Sequence, residues 1–273
     1  MVSDIYFPSP PLAHFFNSFY YYKGFVPEHN IDRFVPDGNT EIIIDLTDFP
    51  KFIYDNDTLE EKQGFRKYWA SGVRRQFISI DSGRDSEMMI LNLKKGKAFS
   101  FFQMPMAEMS DQVVEGDLIF GDFIVRLRDA IGTAKPISEK FEITEAFLCE
   151  KMKTHLRENN PFMDFTIQKM LDNPTQLTLQ SLVSQVGYSQ KHLIHLFKKH
   201  LGVSPKTYLR ILRFQKAIQE IGQRGDIEWT HLAIDCGYYD QAHFINDFKN
   251  FSGFTPEEYL RRQKSFPNYI PVG

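Results

Sequence analysis

A stretch near the C-terminal end of the chain is written twice, and this duplication constrains the fold more than any other feature. Aligning residues 182–210 with residues 232–261, and allowing one extra residue at Tyr239, gives 13 identities in 29 positions. The matched pairs include Gly187/Gly237, Tyr188/Tyr238, Gln190/Gln241, His192/His243, Phe197/Phe248, Lys198/Lys249, Gly202/Gly253, Pro205/Pro256 and Tyr208/Tyr259. Solenoids need at least three repeats to share a continuous core. Two copies instead predict a pair of equivalent units.

In the first copy, Leu179, Leu182, Val183 and Val186 fall at i, i+3, i+4 and i+7, one face of a short helix. Gly187 stands where a helix C-cap tolerates positive φ, and Ser189 can cap a new helix beginning at Gln190. That second helix carries an apolar stripe of Leu193, Leu196, Phe197 and Leu201, and turns Gln190, Lys191, Ile194, His195, Lys198 and Lys199 outward. The second copy follows the same plan. Residues 229–236 form its first helix, with Leu232, Ala233 and Cys236 inward. Gly237 turns and Asp240 caps a helix that buries Phe244 and Phe248 and presents Gln241, Ala242, His243, Ile245, Asn246 and Lys249. Each copy ends in Gly-x-Ser/Thr-Pro, which places Pro205 or Pro256 in the first turn of the next helix, where a missing N–H costs nothing. Between the copies, Tyr208, Leu209, Leu212, Ala217, Ile218 and Ile221 are spaced for one amphipathic helix over 205–221, with Arg210, Arg213 and Lys216 on or beside its polar face.

Helix, tight glycine turn and helix with a polar outer face is the helix-turn-helix layout, whose second helix enters the DNA major groove. A single such copy serves equally well as a three-helix packing unit without DNA. Two copies on one helix shift the balance, because two major-groove contacts on one face of B-DNA must lie about 34 Å apart, a separation that a rigid connection can hold.

The rest of the composition excludes more than it selects. With 273 residues, 42% hydrophobic and 25% charged, the chain is an ordinary globular protein with room for two domains. No apolar run is long enough to span a bilayer, and MVSDIYFPSPP lacks the basic start and apolar core of a secretory signal, so a cytosolic, nucleoid-associated protein without membrane contact is expected. Cys149 and Cys236 are distant and unlike in context, which offers neither a disulfide framework nor a zinc cluster. The net charge of −3 hides an asymmetry: residues 1–135 carry 15 basic against 20 acidic side chains, whereas residues 176–273 carry 12 against 8. Only the duplicated region is basic.

These residues resemble the AraC/XylS family of bacterial transcription regulators over residues 162–262. The likeness rests on Leu182-x4-Gly187-Tyr188-Ser189-x3-Leu193-x3-Phe197-Lys198-x3-Gly202-x2-Pro205-x2-Tyr208, on Arg213-x3-Ala217, and on Ala233-x3-Gly237-Tyr238-x5-Phe244-x3-Phe248-Lys249-x3-Gly253-x-Thr255-Pro256-x2-Tyr259. The resemblance implies that both second helices face the major groove. Base contacts then fall to Gln190, Lys191, Ile194 and His195 in the first unit and to Gln241, Ala242, His243 and Asn246 in the second. Gln241 and Asn246 suit adenine, Lys191 suits guanine and Ile194 a thymine methyl. Members often bear an arginine on the outer face, where this chain has His195 and Asn246. His192 and His243, identical between copies, suit scaffold and contact roles equally. Lys198, Lys199, Arg210 and Lys249 are expected on phosphates, which position without reading sequence. Promoter DNA and RNA polymerase are the partners implied, with activation the usual mode.

Residues 1–135 are expected to be a β-rich, cupin-like small barrel or sandwich, with strands at 41–46, 51–54, 74–80, 87–93 and 98–102. The segment Phe34-Val-Pro-Asp-Gly38-x2-Glu41 and the later 110–114 resemble the sensor-like domain found upstream in a subset of the same family. A small-molecule effector would bind there. Catalytic cupin-like barrels cluster histidines around a metal, whereas His14 and His29 stand fifteen residues apart, so neither a metal nor any other cofactor is expected. No nucleophile triad or phosphate-binding loop is evident, so no enzyme activity is expected. The aromatics Tyr20, Tyr21, Tyr22, Trp69, Phe99, Phe101 and Phe102 could line a ligand pocket but are expected first in the core, and Arg74 or Arg75 could meet an anion. Residues 138–158 form an amphipathic helix through Phe141, Leu148, Met152 and Leu156, suited either to a homodimer or to packing on its own barrel.

The whole chain is therefore expected to be an α+β protein of two domains. A β-rich sensing or dimerisation domain spans 1–135 and a linker helix 136–160. The all-α domain over 161–264 holds helix-turn-helix units near 179–200 and 229–251, joined by a long helix, and an irregular tail follows at 265–273. Two other classes compete with a regulator: a cupin-type enzyme fused to DNA-binding helices, and a ligand-independent architectural or interaction protein.

Overall fold

The computed structural model describes residues 1–155, 160–223, 226–264 and 266–272. Strand β2 (Phe16–Lys23) is rich in aromatic residues, which suit a pleated, half-buried surface. It lies antiparallel between β1 (Val2–Tyr6) and β9 (Glu87–Leu93). β9 pairs in turn with β4 (Glu41–Asp45), β4 with β7 (Tyr68–Ser71) and β7 with β10 (Val113–Glu115), completing a six-stranded sheet. The second sheet runs through β3 (Ile31–Phe34), β8 (Ile78–Asp81), β5 (Lys51–Tyr54) and β6 (Glu61–Phe65). Ile42 and Ile44 of β4 face the main core, 1% and 0% exposed.

Three expectations for this half need correction. Residues 98–102 form a helix, α1 (Ala98–Phe102), and not a strand. All five of its side chains are buried, which a strand lying on one core could not achieve. The helical spread aims Phe101 at Phe16 and Phe120 while Phe99 meets His200 of the C-terminal half. The strand expected over 74–80 shrinks to Ile78–Asp81. Arg74 instead donates to the Asp111 carbonyl, and Arg75 pairs with the Asp111 carboxylate. The tail is not irregular. Its residues Tyr269–Val272 form β11, an edge strand antiparallel to β3 in the second sheet. Pro271 is tolerated there because an edge strand leaves one row of N–H positions unpaired.

Helices α2 (Gly116–Phe120), α3 (Asp122–Thr133) and α4 (Ile137–His155) follow the strands. The Arg128 guanidinium of α3 donates to the Asp45 and Thr47 carbonyls and so fixes the helix to the end of β4. In α4, Phe141, Leu148 and Met152 join the core under the six-stranded sheet. Burying each contributes about 1.5–3 kcal/mol. The apolar face of α4 is therefore spent on its own chain; Leu156 lies outside the described residues.

The remaining helices are α5 (Pro161–Asp172), α6 (Leu179–Val186), α7 (Gln190–Leu201), α8 (Pro205–Gln223), α9 (Trp229–Asp235), α10 (Gln241–Ser252) and α11 (Pro256–Arg262). α8 is the shaft. Tyr208, Ile211, Phe214 and Ala217 are 0% exposed, and its buried residues share one core with both flanking helix pairs, with Val35 and Val73 of the β half, and with Ile270 and Val272 of β11. Gln215 of the shaft donates to the Pro36 carbonyl at 2.8 Å and to Asn268 at 3.0 Å. The turn at Gly38 fits against Tyr208 and Ile211 because glycine, at φ +75°, brings no Cβ there.

Candidate nucleic-acid interface

Both helix pairs are assembled by local hydrogen bonds that the sequence encodes. In the first, Thr178 and Ser181 form a reciprocal capping box at the start of α6, and Gly187 ends that helix at φ +73°. The Ser189 hydroxyl accepts from the His192 N–H, which starts α7. In the second, Glu228 caps α9, Gly237 turns at φ +80°, and the Asp240 carboxylate accepts from the His243 N–H at 2.7 Å. Such caps contribute about 1 kcal/mol each and fix where the second helix begins.

The inner faces lock each second helix to the shaft. Leu193 and Phe197 of α7, and Phe244 and Phe248 of α10, are 0% exposed. The opposite faces are open. Gln190, Lys191, His195 and Lys198 are exposed on α7, with Ile194 and Lys199 half-buried beside them. On α10, Ala242, His243, Asn246 and Lys249 are exposed; Gln241 is half-buried and its side-chain oxygen accepts from the Thr230 hydroxyl at 3.0 Å. The structure thus gathers the eight expected base-contact residues on the outer faces of two helices held by one core.

The paired histidines share one arrangement. Each lends its backbone N–H to the cap and packs its ring against the turn tyrosine of its own copy, His192 on Tyr188 at 4.7 Å and His243 on Tyr238 at 5.3 Å between centroids. A scaffold role therefore explains their identity between copies.

The basic side chains divide. Lys198 and Lys249 are exposed in the last turns of α7 and α10, whereas the Lys199 ammonium sits over the Phe99 ring, 4.7 Å from its centroid. The Arg210 guanidinium grips Asp247 of α10, its Nε 3.1 and 3.2 Å from the two carboxylate oxygens, with a further bond from Nη2. That bonding raises the Arg210 pKa further above its ordinary value. Arg213 is equally structural, donating to the Pro174 and Leu177 carbonyls at 2.9 Å, and Lys216 pairs with Glu220. Sequence patterning missed the Arg210–Asp247 pair. Its signal was a carboxylate on the apolar stripe of α10, between Phe244, Phe248 and Phe251, at the place where α7 carries Leu196.

The C-terminal ends of both outer helices rest on the β half, and the duplication extends to this contact. Gly202, after α7, lies against the Met106 carbonyl and Ser110; Gly253, after α10, lies against Arg33 and Phe77. Both glycines have positive φ and both contacts would be filled by a Cβ. His200, in the last turn of α7, is buried against Phe99. Burial, reinforced by the neighbouring Lys199 and Lys97 and opposed by Asp164, lowers its pKa to about 4.

Two helix-turn-helix units on one shaft, with capped outer helices and open polar faces, give the C-terminal half the layout of the helix-turn-helix class. Residues 182–262 match the family described as a helix-turn-helix domain, and residues 4–115 match a domain of unknown function, DUF6597. Over its duplicated region the chain is similar to known regulators of transcription. Similar proteins include the transcriptional activator RhaS of Escherichia fergusonii, 32% identical over 79 residues that make up 29% of this chain and 28% of RhaS. The uncharacterised regulator YtdP of Bacillus subtilis is 24% identical over 79% of this chain and 30% of its own length. XylDLEGF operon transcriptional activator 3 of Pseudomonas putida is 28% identical over 39% of this chain and 33% of its own. The chain thus spans about a third or less of the length of each of these relatives. Among solved structures, ToxT from Vibrio cholerae O395 aligns over 91% of this chain and 99% of its own, with a TM-score of 0.49 and 12% identity. Among the described residues, no group of three or more His, Cys, Asp or Glu side chains is placed to hold a metal ion, and no helix is long and apolar enough to cross a membrane.

Proposed function

We propose that the chain is a sequence-specific regulator of transcription that occupies promoter DNA with α7 and α10 in successive major-groove segments. The observation that carries this reading is the pair of outer helices, begun by equivalent caps and held on one buried shaft, whose open faces bear Gln190, Lys191, Ile194 and His195 in one case and Gln241, Ala242, His243 and Asn246 in the other. Bidentate amides at Gln241 and Asn246 favour adenine, and Lys191 favours guanine. Lys198 and Lys249 hold phosphates, joined by Lys199 from its place over Phe99. Arg210 reaches a phosphate only by sharing its bonds with Asp247, so its contribution is chiefly to seat α10.

The two faces differ at Lys191/Ala242 and His195/Asn246, so the site is asymmetric and one chain reads it without a palindrome. The β half acts as a sensor of a small molecule, transmitting its state through the contacts at Gly38, Gly202 and Gly253. Neither catalysis nor a cofactor belongs to this reading, which places the protein in the cytosol on the nucleoid, in contact with RNA polymerase. Homodimer formation, if it contributes, uses a surface other than the buried face of α4.

Selection of bound sequences from random DNA, with the intact chain, tests this directly. The expected product is one asymmetric site whose two conserved blocks lie about 10 base pairs apart. In the same assay Asn246→Ala costs about 1–3 kcal/mol on the selected site and relaxes one block only. Enrichment of no sequence would leave an architectural DNA-binding protein and overturn the regulator.

A further inference from the structure

A cavity of about 480 Å³ opens between the two sheets. Its walls are aromatic: Tyr20 and Tyr22 of β2, with ring centroids 5.9 Å apart, face Phe25, and the C-terminal segment supplies Phe266 and Tyr269. Contrary to expectation, then, part of the tyrosine run of β2 lines a pocket and does not fill the core. A second chamber of about 140 Å³ shares Tyr22, Glu41 and Tyr269 with the first and runs on over Ile43, Phe52 and Trp69. Glu41, common to both, is the last residue of the Pro36-Asp37-Gly38-x2-Glu41 segment. Among the described residues its carboxyl has neither a hydrogen-bond nor an ion-pair partner.

The charges around this carboxyl favour one sign of ligand. Asp32, 5% exposed, is the other buried carboxyl of the wall and binds His29 at 2.8 Å. The one lysine of the wall, Lys264, is 57% exposed at the rim and reaches Glu28 at 3.5 Å. An anionic ligand would therefore set its charge beside the Glu41 carboxyl, while the Lys95 ammonium that acts on Glu41 is already held by the Asp37 carbonyl and the Asn39 side chain, and Lys51 lies in the smaller chamber. An ammonium group would gain a counter-ion and, from the tyrosine faces, cation–π attraction.

We propose that this cavity binds an organic cation, its ammonium group against Glu41 and its apolar or aromatic body among Tyr20, Tyr22 and Tyr269, with the smaller chamber taking any extension. The proposal rests on the sensing role given above to the β half and adds the chemical class of what is sensed. Burial pushes the Glu41 carboxyl up to about 8, with Asp37 adding to the rise and Lys95 opposing it. The phenols of Tyr22 and Tyr269 beside it are raised above their ordinary value by burial and stay neutral. The direction of that shift favours the neutral carboxyl at Glu41, and a cation placed against it would favour release of the proton. The ligand would lie directly against Phe266 and Tyr269, in the segment that continues from α11, which gives its occupancy a short route to the second helix-turn-helix unit.

Calorimetry on the intact chain at pH 7, with 2-phenylethylammonium, 2-phenylethanol and 3-phenylpropanoate as probes, tests the assignment. The ammonium is expected to bind at least about tenfold tighter than the other two, a difference of about 1.4 kcal/mol. Its heat should vary with buffer ionisation enthalpy in the sense of proton release. Glu41→Gln, which mimics the neutral acid and so preserves the empty fold, should abolish both the preference and the proton release. Alcohol or carboxylate binding as tightly as the ammonium would overturn the cation while leaving the sensor. Ammonium binding that survives Glu41→Gln unchanged would also overturn it. Binding of none of the three by protein that still recognises its selected DNA would overturn both the cation and the sensing role.

Discussion

The two helix-turn-helix units have the same plan and different degrees of embedding. In the first, nothing lies within 4 Å of the space a Cβ would take at Gly187, and Tyr188 is 42% exposed. In the second, Gly237 is pressed against the backbone of Thr175, Tyr238 is 4% exposed, and Asp247 ties α10 to the shaft through Arg210. The first unit rests on α1 and the turn at Met106–Glu108; the second rests on the sheet that β11 completes. Duplication preserved the caps and the inner faces, while the surroundings of each copy set how much its turn can yield.

The largest test of this asymmetry is the pair of turn glycines. Alanine at Gly237 must adopt a left-handed conformation and also collide with Thr175, for a combined cost of about 3 kcal/mol or more. At Gly187 only the conformational cost remains, about 1 kcal/mol. Denaturant unfolding of the two single variants measures both, and equal losses would erase the distinction between a packed and an open turn.

Acid separates the units by a different route. His200 of the first unit corresponds to Phe251 of the second, and both are buried. His200 has a folded pKa of about 4 against an ordinary 6.5, so the folded state binds fewer protons than the unfolded one between those values. Stability is full above pH 6.5 and is lost as pH falls, by on the order of 3 kcal/mol at pH 4. His200→Phe, which copies the second unit, should flatten that part of the stability–pH curve. A curve of unchanged slope would show that His200 does not titrate as a buried neutral group.

Equivalent arginines give the next contrast. Arg210→Ala leaves the Asp247 carboxylate, 5% exposed, without its cation and should cost about 2 kcal/mol, the guanidinium being itself partly solvated. Arg261, at the same place after the second unit, is exposed, and Arg261→Ala should fall within about 0.5 kcal/mol of the parent. Matching losses would mean that the ion pair contributes nothing beyond an ordinary surface contact.

What could be read from the sequence follows the range of the forces involved. Caps and turns at Ser189, Asp240, Gly187 and Gly237 depend on residues within four positions, so their residue types sufficed. The outer faces followed from the 3.6-residue period, and residue pairing between the copies located them twice. Helix α1 was misassigned because its five residues are enclosed on every side by α2, α7 and the core, an outcome of tertiary packing with no local periodic signature. β11 was missed because a four-residue edge strand containing Pro271 carries almost no propensity of its own; its partner β3 lies more than two hundred residues earlier. The Tyr20/Tyr22 face was assigned to the core because alternation separates two faces without saying which one meets a cavity. Arg210 looked like a phosphate ligand because a cation on a helix looks the same from sequence whether a carboxylate or water waits opposite.

The smallest effect distinguishes lysines that adjoin in sequence. Lys198 and Lys249 occupy the same place in the two units and are exposed, and on the reading proposed above each neutralises one phosphate of the bound site. Removing either to alanine should weaken binding to all sequences alike and lower the salt slope of log K by about one unit. Lys199 has no lysine counterpart, since Asn250 stands there, and its ammonium already rests over Phe99 at the junction with the β half. Its distance from the free face predicts a smaller change for Lys199→Ala, below about half a unit, because holding a phosphate would require leaving the ring. Binding measured between low and moderate salt for the three variants decides the matter. A full unit at Lys199 would show that the first unit leaves its rest on α1 when it meets DNA, and the more weakly embedded copy would then be the one that moves.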